Sequence, residues 1–205
     1  MSIIKLNNNG VKNATAFGSI TGLGSMVFIK KLTASSSATL SFVDGASSVV
    51  LDNTYKEYLF TFNNMHPATD NKSFQFNMSV DSGSNYNVTK TTTDFLAYTY
   101  EGSENPSALA YNSGLAQSTN FQDISSVCGN DNDQSTSGYL HIFNPSSTTF
   151  VKHFISKSFS SNHDNATVNF FAAGYGNTTS AVDAIQFKFS SGNTDAGDIC
   201  LYGIA

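Results

Sequence analysis

Two alternating runs of side chains around an Asn-Pro turn constrain the fold of this chain more than any other stretch. Tyr139–Phe143 and Thr148–Ser156 each send successive side chains to opposite faces, as β-strands do. Asn144–Ser147 has turn chemistry, because its proline fixes φ and its asparagine can bond its own backbone. The pattern predicts the central antiparallel hairpin of a β-sandwich, buried on much of both faces. A turn centred just after the proline places His141 opposite Phe150.

The same period of two recurs in other segments. In Ser73–Val80 it predicts an inner face of Phe74, Phe76, Met78 and Val80 and an outer face of Gln75, Asn77 and Ser79. The other predicted strands are Ser25–Leu32, Ala38–Val43, Val49–Leu51, Tyr55–Phe62, Thr91–Tyr100, Thr167–Ala173, Ala184–Phe189 and Ile199–Ile204. Asn63–Pro67 is predicted to end the Tyr55–Phe62 strand.

About ten short strands without a long amphipathic helix predict an all-β fold. The expected architecture is an antiparallel, jelly-roll-like β-sandwich over residues 24–205. Gly102–Gly138 is the least regular region, and Phe121–Val127 within it fits either a short helical turn or a bent strand.

Residues 1–23 are predicted to form an N-terminal arm. They are too poor in large apolar side chains for a core of their own, but they carry Ile3, Ile4, Leu6, Val11, Phe17 and Ile20. Such a segment can be a flexible tail, or it can order on a neighbouring subunit. We expect the arm to serve attachment or oligomerisation.

Composition excludes some classes of function. Among the 205 residues only 12% are charged, and the net charge is −5. A nucleic-acid-binding protein would normally be basic, so nucleic acid is not an expected partner. Ser2–Asn7 is too short and polar for a signal peptide, and no apolar run is long enough to span a membrane. We therefore expect synthesis in a cytoplasm and no membrane insertion.

The sequence offers only weak candidates for chemistry. Asn130, Asp131 and Asp133 could supply oxygen ligands to calcium, but the segment lacks the glycine and distal glutamate of an EF-hand loop. A solvated turn is the favoured interpretation. Cys128 and Cys200 could pair, but two free thiols are favoured.

No catalytic residue and no cofactor are assigned. His66, His141, His153 and His163 show no zinc-ligand spacing, and no G-x-S-x-G motif is present. The aspartates look like turn residues rather than a catalytic pair. Sugar rings could stack on exposed tyrosines, although the alternative is that these rings pack in the core. The tyrosines concerned are Tyr86, Tyr98, Tyr100, Tyr111 and Tyr175.

Several segments from Phe28 onward resemble an uncharacterised family of virion structural proteins of marine bacteriophages, of tail-fibre, capsid-fibre or decoration type. The most specific of them is Leu140–Phe154. The others are Phe28–Ser35, Leu51–Tyr58, Met65–Asp70, Gly129–Ser135, Ala173–Ala181 and Leu201–Ile204.

The resemblance implies a non-enzymatic structural protein displayed on the virion surface. Other virion proteins are then expected partners, and so are further copies of the chain, with a trimer favoured. A tail-fibre module that recognises a host-surface glycan is the alternative function. An enzyme that degrades surface polysaccharide ranks third, since it would need paired carboxylates in a cleft.

Overall fold

A computed structural model of the chain describes residues 26–102, 107–112 and 114–205. The predicted arm at residues 1–23 lies outside the described residues. Within these ranges all regular elements are strands, and no helix is present that could cross a membrane. The strands are β1 (Met26–Thr33), β2 (Leu40–Val43), β3 (Glu57–Pro67), β4 (Lys72–Ser79), β5 (Lys90–Tyr100), β6 (Ala108–Tyr111), β7 (Gln122–Cys128), β8 (Thr136–Phe143), β9 (Lys152–Ser161), β10 (Ala166–Gly176), β11 (Ala184–Phe189) and β12 (Thr194–Ile204).

These strands form two antiparallel sheets of unequal size. The larger has eight strands in the order β1-β12-β3-β8-β9-β10-β5-β6, and the smaller has four in the order β2-β11-β4-β7. The predicted all-β antiparallel sandwich is therefore confirmed. Strand β7 packs over β9 and β10, while β5 and β6 continue the larger sheet on the far side of β10.

Phenylalanine side chains fill the space between the two sheets. Tyr58, Phe60 and Phe62 of β3 are fully buried, as their alternation predicts. Phe187 of β11 lies among the rings of four other phenylalanines, at centroid distances of 5.4–6.5 Å. Burial of one such side chain contributes about 2–3 kcal/mol, so the five rings of this cluster stabilise the contact between the sheets.

The outer face predicted for β4 is largely wrong. Asn77 and Ser79 are fully buried, whereas Val80 lies just past the strand and is 38% exposed. The reason is that two loops cover the outside of β4. The side-chain amide of Asn77 donates to the carbonyls of Tyr86 and Thr119, one in each loop, at 2.7 and 3.0 Å.

The central hairpin exists, but its predicted register is wrong. β8 and β9 pair antiparallel with His141 opposite Ile155, not Phe150. The connection spans residues 144–151, because the ammonium of Lys152 holds the longer loop closed. It donates to the Ser147 and Phe150 carbonyls within the connection and to the Thr178 carbonyl after β10. Only one face of the hairpin is buried. On the other face Tyr139 and Ile155 are 37% and 46% exposed.

Two further boundary predictions need correction. Val49–Leu51 is not a strand, because β2 pairs with β11 and the chain closes a tight loop in which Gly45 N–H donates to the Val49 carbonyl. Asn63–Pro67 does not end β3, because β12 continues to pair with it through bulges. Phe121–Val127 falls mainly in strand β7 rather than in a helical turn.

Candidate functional site

A polar cleft opens at the side of the sandwich, where β7 faces β5. Its volume is about 430 Å³, within the range of roughly 300–1,000 Å³ that is usual for ligand pockets. Strands β4, β5, β7 and β11 and the segment before β7 contribute to it. The lining residues are Gln75, Tyr86, Asp94, Leu115, Thr119, Asn120, Phe121, Gln122, Asp123 and Lys188.

Asp94 lies on the inner side of β5 and is only 2% exposed. Its Oδ2 is 3.4 Å from the Gln122 amide nitrogen, while its Oδ1 is buried and has no hydrogen-bond partner. Burial raises the pKa of this carboxyl group. An unsatisfied buried polar atom costs about 1–3 kcal/mol, so Asp94 lowers the stability of the folded chain at this position.

A second carboxylate, Asp123 on β7, lines the same cleft. Its Oδ1 accepts a hydrogen bond of 2.6 Å from the side-chain amide of Gln75. Burial raises the pKa of Asp123, the Gln75 bond opposes that shift, and the nearby charge of Asp94 adds to it. Two carboxylates in partial burial thus share one small cleft.

A buried lysine holds the walls of the cleft. Lys90 is fully buried, and its ammonium lies 2.5 Å from Asn77 Oδ1 and 2.8 Å from the Val88 carbonyl. Through Asn77 it is linked to the segments of Tyr86 and Thr119, both of which line the cleft. Burial lowers the pKa of Lys90 to about 7, because removal from water disfavours the charged form of the amine.

Phe121 and Lys188 form the mouth of the cleft on the side of the smaller sheet. The Lys188 ammonium lies 4.3 Å from the centroid of the Phe121 ring, a distance typical of a cation–π contact. Lys188 is directly opposite Gln75 in the β11–β4 register, and Gln75 is opposite Asp123. The three side chains therefore form a row across the outside of the small sheet.

The predicted calcium residues lie elsewhere, in the connection between β7 and β8. Asp131 and Asp133 are exposed, and the Asp131 carbonyl is bonded to Gln134 N–H and lies 3.1 Å from His66 Nε2. A Cβ on Gly129 would collide with the Gln134 side chain, so close packing requires a glycine here. Within the described ranges no three His, Cys, Asp or Glu side chains come together as metal ligands.

A chelator should leave the melting temperature at neutral pH unchanged, because the Asn130–Asp133 turn is held by bonds to His66 and Gln134. Thermal unfolding with and without EDTA measures this. A fall of many degrees would contradict the prediction and would identify the turn as a calcium site.

The remaining predicted candidates do not assemble into a common site. His141 Nε2 lies 3.0 Å from Glu57 Oε2, and His163 Nε2 lies 3.4 Å from Asp164 Oδ2. His153 is exposed on β9. Of the five tyrosines, Tyr86 lines the cleft, and Tyr98 and Tyr100 pack edge to face against each other.

Both cysteines are free thiols. Cys128 is fully buried and lies 3.6 Å from the Ser161 carbonyl, and burial raises its pKa to about 12. Cys200 is half-buried on β12, on the outer side of the larger sheet, where it lies opposite Thr61. The disulfide alternative is therefore not realised.

A second surface feature covers the outer side of β8, β9, β10, β5 and β6, and we call it the aromatic face. It consists of Tyr139, Ile155, Phe159, Phe171, Phe95, Leu109 and Tyr111. The most exposed members are Tyr111 at 82% and Leu109 at 65%. Phe95 and Phe171 stack with their centroids 4.9 Å apart.

One charged side chain lies at the middle of the aromatic face. The Lys157 ammonium is 4.9 Å from the centroid of Phe159 and 5.0 Å from that of Phe171. The negative faces of these rings attract the ammonium electrostatically. Among the described residues no Asp or Glu occupies the outward positions of β8, β9, β10, β5 and β6.

The sequence interpretation missed the two cleft carboxylates, since it took the aspartates for turn residues. Asp94 and Asp123 both lie within strands. One signal was available for Asp94, a lone charge between Thr93 and Phe95 in a strand otherwise rich in threonine and aromatic residues. Its inward position follows from the alternation, but its approach to Asp123 depends on the packing of β7 over the larger sheet.

Comparison of the chain with protein-family models, with curated proteins and with solved structures gives no match in any of the three.

Proposed function

We propose that this chain is a non-enzymatic structural protein of a bacteriophage virion, displayed on the particle surface as a capsid decoration, a head fibre or a tail-associated component. In this proposal it assembles with copies of itself. The aromatic face is the observation that carries the proposal, because an apolar sheet surface exposed among the described residues is typical of an interaction site.

The strand order supports a role on a viral particle. β1-β12-β3-β8 lies against β2-β11-β4-β7, and we infer that these eight strands form a jelly roll. Hairpin β5–β6 is then inserted between β4 and β7, and hairpin β9–β10 between β8 and β11. Jelly rolls are common in viral capsid and lectin domains, which supports the proposal by analogy of fold.

The inserted strands carry most of the aromatic face. They extend one sheet past β8, in the order β9-β10-β5-β6, and none of the described residues forms a layer over its outer side. If these strands contributed only to the core, polar residues would be expected at their outward positions, as in other half-exposed antiparallel sheets. Phe159, Leu109 and Tyr111 are instead at least half exposed.

The apolar character of the aromatic face favours a second copy of the chain as its occupant. Two copies would bring together apolar rings and a single type of charge, Lys157, which its own aromatic neighbours already contact. The β1 edge of the larger sheet is less suited to self-assembly, because β1 carries Lys30 and Lys31, and lysines on edge strands discourage pairing.

Replacing Phe159 with lysine is expected to dissociate the oligomer. A buried aromatic contact at an interface is typically worth about 2 kcal/mol or more, which corresponds to roughly 30-fold weaker association. Sedimentation velocity over a concentration series measures the effect, with a wild-type trimer expected.

Phe150→Lys is the matched control. Phe150 is 68% exposed, but it lies in the β8–β9 connection, outside the aromatic face. It should leave assembly unchanged. A wild-type chain that stays monomeric at all concentrations, or two variants that behave alike, would refute self-assembly through this face.

A further inference from the structure

We propose that the cleft between β5 and β7 is a binding site for a neutral, hydroxyl-rich saccharide. Asp94 and Asp123 would accept hydrogen bonds from its hydroxyl groups, and Phe121 would contact its apolar ring face. The site is separate from the aromatic face, because Asp94 and Phe95 are neighbours on β5 and point to opposite sides of the sheet. A failure to bind saccharide would therefore leave the proposed self-assembly intact, and a failure to assemble would leave saccharide binding intact.

The two carboxylates are prepared to accept hydrogen bonds from a ligand. A glutamine amide occupies one oxygen of each, Gln122 at Asp94 and Gln75 at Asp123. The Oδ1 atom of Asp94 remains without a partner although the side chain is 98% buried. A ligand hydroxyl that donates to the Asp94 carboxylate would form a charge-assisted hydrogen bond, which is stronger than a neutral one.

The surroundings favour a neutral ligand over a metal ion. Calcium takes six to eight oxygen ligands, but Gln75 and Gln122 direct their N–H groups, not their oxygens, at the carboxylates. The Lys188 ammonium also lines the cleft and would repel a cation. The same N–H and ammonium groups can donate to the oxygens of a sugar.

The rest of the lining suits a sugar ring. Phe121 offers an aromatic surface at the mouth of the cleft, and its ring is held in place by the Lys188 contact at 4.3 Å. Thr119 and Asn120 are exposed polar residues beside it. The segment that carries them is fixed by the bond from Asn77 to the Thr119 carbonyl, so little ordering is needed on binding, which favours affinity.

Titration of the ¹⁵N-labelled full chain with neutral sugars tests this proposal. The probes are methyl glucoside, methyl galactoside and N-acetylglucosamine, each in the millimolar range. At least one should shift backbone resonances of β7 and of β5 near Asp94, leaving those of Leu109, Tyr111, Tyr139 and Phe159 on the aromatic face unchanged. Asp94→Asn should weaken binding by about tenfold or more, since a hydrogen bond to a charged acceptor is lost.

Asp133→Asn is the matched control, an exposed aspartate outside the cleft, and it should bind like the wild type. Phe121→Ala removes the aromatic ring and keeps both carboxylates, and it should also weaken binding. This second variant keeps the proposal testable if Asp94→Asn does not fold. The proposal is overturned if no probe shifts the cleft resonances, if calcium chloride shifts them instead, or if Asp94→Asn and Asp133→Asn bind equally.

Discussion

Replacing Phe187 with alanine is expected to lower the free energy of unfolding by about 4 kcal/mol, as for other fully buried phenylalanines. Phe187 is 0% exposed and contacts the rings of Phe42, Phe60, Phe74 and Phe76. The substitution removes contacts that join the two sheets. It leaves a cavity that the four neighbouring rings cannot fill by moving inward. Urea unfolding followed by circular dichroism measures the change.

Phe150→Ala provides the comparison for Phe187→Ala. This side chain is 68% exposed, so its truncation should change stability by no more than about 0.5 kcal/mol. Similar losses for the two variants would mean that the phenylalanine cluster is not the centre of the core.

The stability of the protein should increase between pH 7 and pH 9. Lys90 has a pKa of about 7 in the folded chain, against an ordinary 10.5. Between these values the unfolded chain binds the additional proton, so the free energy of unfolding rises with pH. The expected gain from pH 7 to 9 is about 2 kcal/mol. Above the ordinary thiol pKa of 9.0, Cys128 acts in the opposite direction, because burial holds its pKa near 12 in the folded chain.

The Lys90→Met variant should lose this rise with pH. Methionine has a similar volume and no charge to desolvate, so its unfolding free energy should be nearly level over the same interval. Chemical denaturation at pH 7, 8 and 9 compares the two proteins, with Lys188→Met as a control that removes a lysine from the cleft mouth. An equal rise in the wild type and in Lys90→Met would show that Lys90 is not the source.

Alternation in the sequence was sufficient to predict the fold class, but it could not fix the pairing. Tyr58, Phe60 and Phe62 alternate cleanly, and their burial follows from that pattern alone. The register of the central hairpin depends on Lys152, whose ammonium donates to two carbonyls of the 144–151 loop and to the carbonyl of Thr178 after β10. The sequence pattern does not indicate that a lysine in an alternating run will be buried with its ammonium bonded to carbonyls.

The candidate sites were harder to predict, since they depend on contacts between distant strands. Asn77 looks like an outward residue of β4 until the loops that hold Tyr86 and Thr119 are placed over it. The proximity of Asp94 and Asp123 likewise requires β7 to pack over the larger sheet. Exposed tyrosines were a reasonable expectation for sugar stacking, but only Tyr86 of the five lines the cleft.

The most direct test of the proposed function is to look for the chain in phage particles purified from an infected culture in which its gene is expressed. Mass spectrometry of density-purified particles measures its copy number, and immunogold electron microscopy with antibodies against residues 26–205 locates it. We predict many copies in each particle and labelling on the outer surface, either at the head or at the tail periphery. Absence from the particles, with the chain abundant in the soluble fraction of infected cells, would contradict a virion role.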